Sequence, residues 1–347
     1  MRKFNRINRI RKRLTSTFRK NLPEIQAASI DRPENVKCVL LIRPNHRLGN
    51  QLLVSPLLQE ATTIFPNAKI DLFLKGNAGI NIFKNFKSVD RILRLPKKHF
   101  KEFTHYFTSF WCLKNREYDV VINVSLGSSS GKLATHHARS KIKLSNEDLT
   151  NTIKEKYPDA KHMAKSGVYR LRAALKGDIE GLDKKPIPNL SLALTDDELK
   201  KANDIIKQKV GDTQKIISIF THATGEKKLS KEWWHAFYYR LKKEFPDYEI
   251  LEILPIENIS SIDFKAPSYY GKDIRMISAV VQQTDLFVGT DSGIMHLADS
   301  TKTPCIGLFS ISRPQVYAPY SKGSFAFDVQ NATIDDLLHQ AKGSLSY

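Results

Sequence analysis

The chain has 347 residues, 41% of them hydrophobic, and a formal net charge of +19. That length and apolar content can fill more than one core, so two α/β domains are expected, and with no uninterrupted apolar run of about 18 residues a membrane-spanning helix is not. Cys38, Cys112 and Cys305 lie far apart, and no metal-ligand spacing or disulfide framework appears among them.

The charge is densest at the start. Arg2, Lys3, Arg6, Arg9, Arg11, Lys12, Arg13, Arg19 and Lys20 precede the first acidic residue, Glu24. Phe4, Ile7, Ile10, Leu14 and Phe18 recur among them at helical spacing, which sets an apolar stripe opposite a cationic face. Such an arm, spanning residues 1–30, reads either as a helix on an anionic membrane surface or as a solvated basic tail. No apolar segment or cleavage site of a secretory signal follows the basic residues, so the expected location is the cytoplasm, with the arm able to hold the protein peripherally on the inner membrane face. Nothing downstream resembles a nucleic-acid module, and nucleic acid is not an expected partner.

Residues 37–43 (KCVLLIR) form the first expected strand, apolar enough to be buried on both faces of a parallel sheet. A loop at 44–50 leads to a helix ending near Phe65, in which Pro56 marks either a kink or a late start. Strands at 69–74 and 91–95, a helix at 101–116 and a strand at 119–124 continue the βαβ alternation. The charged stretch 140–183 reads as peripheral helices around a substrate entrance, and 184–194, with Pro186 and Pro188, as an interdomain linker before a helix capped at Thr195 or Asp196. A second series follows: strand 215–220, helix 232–245, strand 249–254, helix 273–283, strand 285–288, a helix after Ser292, strand 304–309 and a closing helix at 334–341 that could pack on either half. The organisation expected is an N-terminal domain over 31–185 and a C-terminal domain over 186–347, both doubly wound.

Chemistry concentrates in three segments. In 285–309, DLFVGTDSGIMHLADSTKTPCIGLF, a buried strand runs into the turn Thr290-Asp291-Ser292-Gly293 and then a helix. Amides and macrodipole at a helix N-terminus favour phosphate, and Gly289 and Gly293 would let backbone approach a ligand closely. Ser292 and His296 share a face if both are helical, though Asp291 or Ser292 can equally be a helix cap and His296 a satisfied interface histidine. In 218–234, SIFTHATGEKKLSKEWW, a strand enters a polar loop and a helix opens near Ser230. Trp233 and Trp234 read as packing residues, at least one of them buried. The third segment, 40–66, is LLIRPNHRLGNQLLVSPLLQEATTIFP.

Together these segments resemble glycosyltransferase family 9, the heptosyltransferases of lipopolysaccharide core sugars. The likeness lies in a strand, a [N/D]-[S/T]-G turn, an M/S-H-L-A helix and a T-P-x-I-G-L-F/Y strand at the C-terminal end, and in strand, R-x-x-x-L-G-D, helix and F-P near the start. It implies a GT-B type fold, two Rossmann-like domains facing a central cleft. The N-terminal domain would bind the acceptor and the C-terminal one a nucleotide-sugar donor. Carried over by position, Asp291, Ser292, Gly293 and His296 would contact the donor, and Thr221, Thr224 and Lys227, with Lys228 an alternative, would meet its phosphates. A cation there stabilises the leaving diphosphate.

One position departs from the pattern. Where the family has aspartate after Leu-Gly, which the resemblance implies as the general base of the reaction, this chain has Asn50, which cannot usefully accept a proton at neutral pH. His46, in the same loop, is the nearest substitute by its ordinary pKa of about 6.5. Asn50 itself reads as a helix cap able to hold the acceptor. Arg43 and Arg47 could meet phosphate or carboxylate groups on an acidic acceptor.

The leading expectation is therefore transfer of a heptose or related sugar from a nucleoside diphosphate donor, ADP-heptose-like, to a lipid-linked saccharide, inverting and with neither metal nor cofactor. The alternative is a catalytically degenerate sugar-nucleotide or glycan-binding protein. A nicotinamide oxidoreductase is disfavoured, because PNHRLGN rather than G-x-G-x-x-G follows the first strand.

Overall fold

The computed structural model describes residues 29–97, 102–146, 151–176, 181–212 and 215–346. The amphipathic arm up to Phe18 lies outside the described residues. Ile30, placed with the arm by sequence, belongs to the folded body: it is buried, bridges to Leu175, and its N–H donates to Ala174 O at 2.7 Å.

Five parallel strands form the N-terminal sheet: β1 (Cys38–Arg43), β2 (Lys69–Lys75), β3 (Val89–Leu95), β4 (Val120–Asn123) and β5 (Ile142–Ser145), in the order β3-β2-β1-β4-β5. The apolar run of β1 has a simple cause. Successive side chains point to opposite faces, and helices cover both. Val39 and Leu41 pack with α2 (Ser55–Ile64), α3 (Ala78–Phe83) and α7 (Ser166–Arg172). Leu40 and Ile42 pack with α4 (Phe103–Lys114) and α5 (Ser129–His137).

Pro56 resolves as a late start. A separate short helix, α1 (Leu48–Leu52), comes first, and Pro56 lies in the first turn of α2, where a missing N–H costs nothing. The stretch 140–183 is only partly peripheral. It contains β5, α6 (Asn151–Lys156) and α7, and every residue of α7 is buried, with Arg172 Nε donating to the buried Glu60 carboxylate at 2.6 Å. Charge in this stretch is thus interior ion pairing as well as surface.

The linker ends where Thr195 caps α8 (Asp196–Val210) in a reciprocal capping box with Glu198. The C-terminal sheet is again wholly parallel, ordered β11-β10-β9-β6-β7-β8, from β6 (Ile216–Phe220), β7 (Glu249–Ile253), β8 (Ser268–Tyr269), β9 (Leu286–Thr290), β10 (Cys305–Phe309) and β11 (Phe325–Asp328). Its helices are α9 (Lys231–Glu244), α10 (Ile274–Val281), α11 (Gly293–Asp299), α12 (Pro314–Tyr317) and α13 (Ile334–Leu345). Trp234 of α9 is fully buried as a packing residue with Phe237, Ile217 and Val288. Leu337 and Leu338 of α13 join that same core, so the closing helix packs on the C-terminal half. Among the described residues no helix is long and apolar enough to cross a membrane.

One side chain ties the halves and the linker together. Arg275 of α10, its side chain 1% exposed, donates from Nε and Nη2 to the two carboxylate oxygens of Glu198 at 2.6 and 2.7 Å. The same guanidinium reaches Leu192 O at 2.7 Å, Ala193 O at 3.0 Å and, in the N-terminal half, Asn81 O at 3.1 Å. Hydrogen bonds from Arg275 pull the Glu198 carboxyl down to a pKa of about 2. Ala193 lies in the left-handed region, φ 47°, a strain that these bonds help to hold. Arg275→Ala leaves these carbonyls and Glu198 without their donor, and is expected to lower unfolding stability by about 3–5 kcal/mol, read as a reduced urea midpoint. An unchanged midpoint would show that the linker is held by other contacts.

Candidate functional site

β1 delivers Arg43 to the end of the N-terminal sheet, where the residue is 5% exposed. Its guanidinium donates from Nη1 to Val124 O at 3.0 Å, from Nε to Asn50 O at 3.3 Å, and from Nη2 to Asn50 Oδ1 at 2.5 Å. Burial pushes the Arg43 pKa down to about 10, partly offset by the nearby Tyr317 phenol. Asn50 lies inside α1 rather than capping it, with its carboxamide oxygen fixed by Arg43.

The loop between them is pinned by a residue the sequence reading passed over. Gln51, fully buried, donates from Nε2 to Asn45 O at 2.7 Å and to Lys75 O at 2.6 Å, while Asn45 Oδ1 accepts from the Arg47 N–H at 3.0 Å. This leaves His46 and Arg47 exposed at the tip. Partial burial, then the charges of Lys75, Lys97 and Arg47, lower the His46 pKa below 6.5. The imidazole is therefore neutral at pH 7 and can accept a proton.

On the C-terminal side, β6 runs into the loop carrying Thr221, Thr224 and Lys227. Thr221 is buried, and its hydroxyl donates to Glu252 Oε1 at 2.7 Å, with Ser260 donating to Glu252 Oε2 at 2.6 Å. Thr221 therefore braces the loop from within, through a carboxyl whose pKa burial raises. Thr224 is exposed before a 3-10 turn at Gly225–Lys227 that Gly225, φ 67°, makes possible. Lys228 is exposed, whereas Lys227 turns inward to form an ion pair with Asp291, which is 6% exposed.

Asp291 directly follows β9, and Ser292 caps α11 by accepting from the Met295 N–H at 3.3 Å. Ser292 has extended backbone, φ −151°, so it does not share a helical face with His296. Gly289 is required by packing, since a Cβ there would fall 2.7 Å from the Phe287 ring. Gly293 meets the other half instead, its Cβ position lying 3.3 Å from Leu48 Cβ. His296 is buried, and its Nδ1 has no hydrogen-bond partner among the described residues. A Cβ on Gly49 of α1 would fall 2.4 Å from His296 Cδ2, so the two halves touch at this point.

The structure thus brings Lys227, Asp291 and His296 together, with Arg43 and Asn50 across Gly49 from them. Thr221 turns away from this group, toward Glu252, and Thr224 and Arg47 are exposed. His162 and Tyr317 complete the junction. His162 Nε2 lies 2.9 Å from Ala318 O, and the Tyr317 ring is 6.4 Å from that of His296. Neither carried a sequence signal: His162 lies in a loop more than a hundred positions before His296, and Tyr317 ends α12, a helix of only four residues. No group of three or more His, Cys, Asp or Glu side chains is placed to hold a metal ion among the described residues.

Burial lowers the pKa of both His162 and His296 from 6.5 to about 4. A depressed histidine pKa gives stability that is complete above about pH 6.5 and is lost as pH falls toward about 4. Asp299, whose carboxyl burial raises to about 6, acts in the opposite sense over part of that window. The readout is therefore a difference. The fall in Tm on acidification should be shallower in His162→Gln than in the wild type, and parallel curves would remove His162 from the acid response.

No curated protein matches the chain by sequence. Residues 272–340 match the model of glycosyltransferase family 9 (heptosyltransferase). Among solved structures, the chain is similar to a glycosyl transferase family 9 protein from Veillonella parvula DSM 2008, with 14% identity, coverage of 91% of this chain and 99% of that one, and a TM-score of 0.71. It is also similar to E. coli heptosyltransferase WaaC with ADP, at 16% identity, 88% and 99% coverage and TM-score 0.66. E. coli ADP-heptose lps heptosyltransferase II aligns at 17% identity, 89% and 98% coverage and TM-score 0.63. The matched segment includes Asp291, Ser292, Gly293 and His296. The resemblance read from the sequence therefore stands: residues 272–340 carry the glycosyltransferase family 9 model, on a chain with the two-sheet GT-B fold of the heptosyltransferases.

Proposed function

We propose that the chain transfers a heptose or related sugar from a nucleoside diphosphate to a lipid-linked surface saccharide such as a lipopolysaccharide core, with residues 186–347 taking the donor and 31–185 the acceptor. The observation that supports this most directly is the Lys227–Asp291 pair beside His296, inside the family-matched segment and across Gly49 from Arg43 and Asn50. The WaaC neighbour, solved with ADP, motivates a diphosphate at this place.

In this reading the acceptor hydroxyl oxygen bonds to the anomeric carbon as the bond from that carbon to the donor phosphate breaks. A single displacement of this kind inverts the centre. The leaving diphosphate gains charge, and Lys227, aimed by the buried Asp291, is the cation that stabilises it. The backbone turn at Ser292 and Gly293 borders the same space, His296 lines it, and Thr224 closes its outer edge. The proton of the acceptor hydroxyl passes to neutral His46. Arg43 acts through Asn50: by holding Oδ1 it leaves the carboxamide Nδ2 to donate to the acceptor, while exposed Arg47 meets its phosphate or carboxylate groups. The chemistry written this way needs neither metal nor cofactor.

Asn50 also favours a second reading, a protein that binds a sugar nucleotide without turning it over, because a carboxamide cannot ionise. Transfer from ADP-heptose to a lipopolysaccharide core acceptor by the purified protein separates the two, since the binding protein would take up ADP and show no turnover.

Two measurements test the assigned roles. Calorimetric ADP affinity should fall roughly 10- to 100-fold in Lys227→Gln, the loss of one charge-assisted hydrogen bond, and recover in part in Lys227→Arg. Equal affinities in all three would detach Lys227 from the diphosphate. His46→Ala should lower kcat by on the order of 10²-fold while ADP affinity stays unchanged, and the wild-type rate should rise with pH through a pKa below 6.5. Wild-type kcat in His46→Ala would leave the proton to another group.

A further inference from the structure

We propose that the outer surface of α4 and α5, centred on Phe107 and Trp111, docks on an anionic lipid bilayer. This surface is built from residues other than those of the basic arm, and the inference does not rest on the sugar-transfer reading. α4 covers the N-terminal sheet with Tyr106, Phe110 and Leu113, and the latter two are 5% and 0% exposed. Phe107 and Trp111 are four residues apart, so they emerge side by side away from that core. They are 55% and 69% exposed. Trp111 is thereby the most exposed large aromatic among the described residues.

The surroundings of the pair are cationic. Exposed Lys114 follows on the same helix, α5 packs against α4 and contributes half-buried Lys132, and exposed Arg139 and Lys141 come directly after it. Glu102 and Glu117 are the exposed acids at the two ends of α4. Tryptophan and phenylalanine ringed by lysine and arginine match the headgroup region of a negatively charged leaflet, where rings settle at the interface and cations meet phosphate.

Two side chains offer at most roughly 150–250 Å² each, well below the roughly 800 Å² per partner of a stable protein interface. A second copy of the chain is thus a poor occupant. A bilayer, whose surface charge supplies the rest of the attraction, is a good one.

The test uses the full chain and vesicles of phosphatidylcholine with phosphatidylglycerol, with pure phosphatidylcholine as control. The wild type should float with the mixed vesicles and much less with the control. In Phe107→Ser/Trp111→Ser, partitioning should fall by roughly tenfold or more. Brominated phosphatidylcholine in the mixed vesicles should quench the part of the emission that is absent from Trp111→Phe, a reading that needs no folded double variant and distinguishes α4 from the arm. Wild-type partitioning by a double variant with unchanged Tm, or a vesicle-bound protein whose Trp111 emission is not quenched, overturns the proposal. So does a concentration-dependent dimer, found without vesicles, that the double variant abolishes.

Discussion

The close approach of α1 to α11 sets the geometry on which the candidate site depends. Gly49 presents bare backbone to the buried ring of His296, and Gly293 does the same toward Leu48. Packed protein interiors leave no slack for an added methyl group at such a point. The absence of two side chains is therefore what lets residues from the ends of two separate sheets share one space. Arg275, far from the chemistry, restrains the same relation from the linker side.

Charge within this space follows the cost of burial. Asp291 is nearly inaccessible and takes Lys227 as its partner, so the cation points inward rather than into solvent as Lys228 does. Arg43 pairs with no carboxylate among the described residues. Its acceptors are two backbone carbonyls and the Asn50 carboxamide, and burial lowers its pKa accordingly. A carboxylate at position 50 would have paired with Arg43 and been held ionised by it. Asparagine keeps the hydrogen bond and gives up the titration, which shifts attention to the one neutral imidazole on the neighbouring loop.

Elements with strong periodicity or punctuation were legible from the sequence. The double-faced apolar run of β1, the Thr195 cap and the alternation from β6 to β10 came from propensity, burial pattern and turn chemistry, all local properties. Short pieces such as α3, β8 and α12 were not, since two to six residues carry too little pattern to outweigh their neighbours. α7 was misjudged as peripheral because its arginines look solvated in a list of residues, yet Arg172 is neutralised by Glu60 more than a hundred positions earlier.

The sequence by itself determined the fold class, the succession of the longer strands and helices, and which polar segments follow strand ends, because each depends on residues within a few positions of one another. Only the tertiary structure decided what those polar residues face. It turned Thr221 inward to Glu252, joined Lys227 to Asp291, fixed Asn50 on Arg43, and brought His162 and Tyr317 to His296. Those outcomes depend on how two sheets meet and on which charges can be buried together, and no local pattern encodes either.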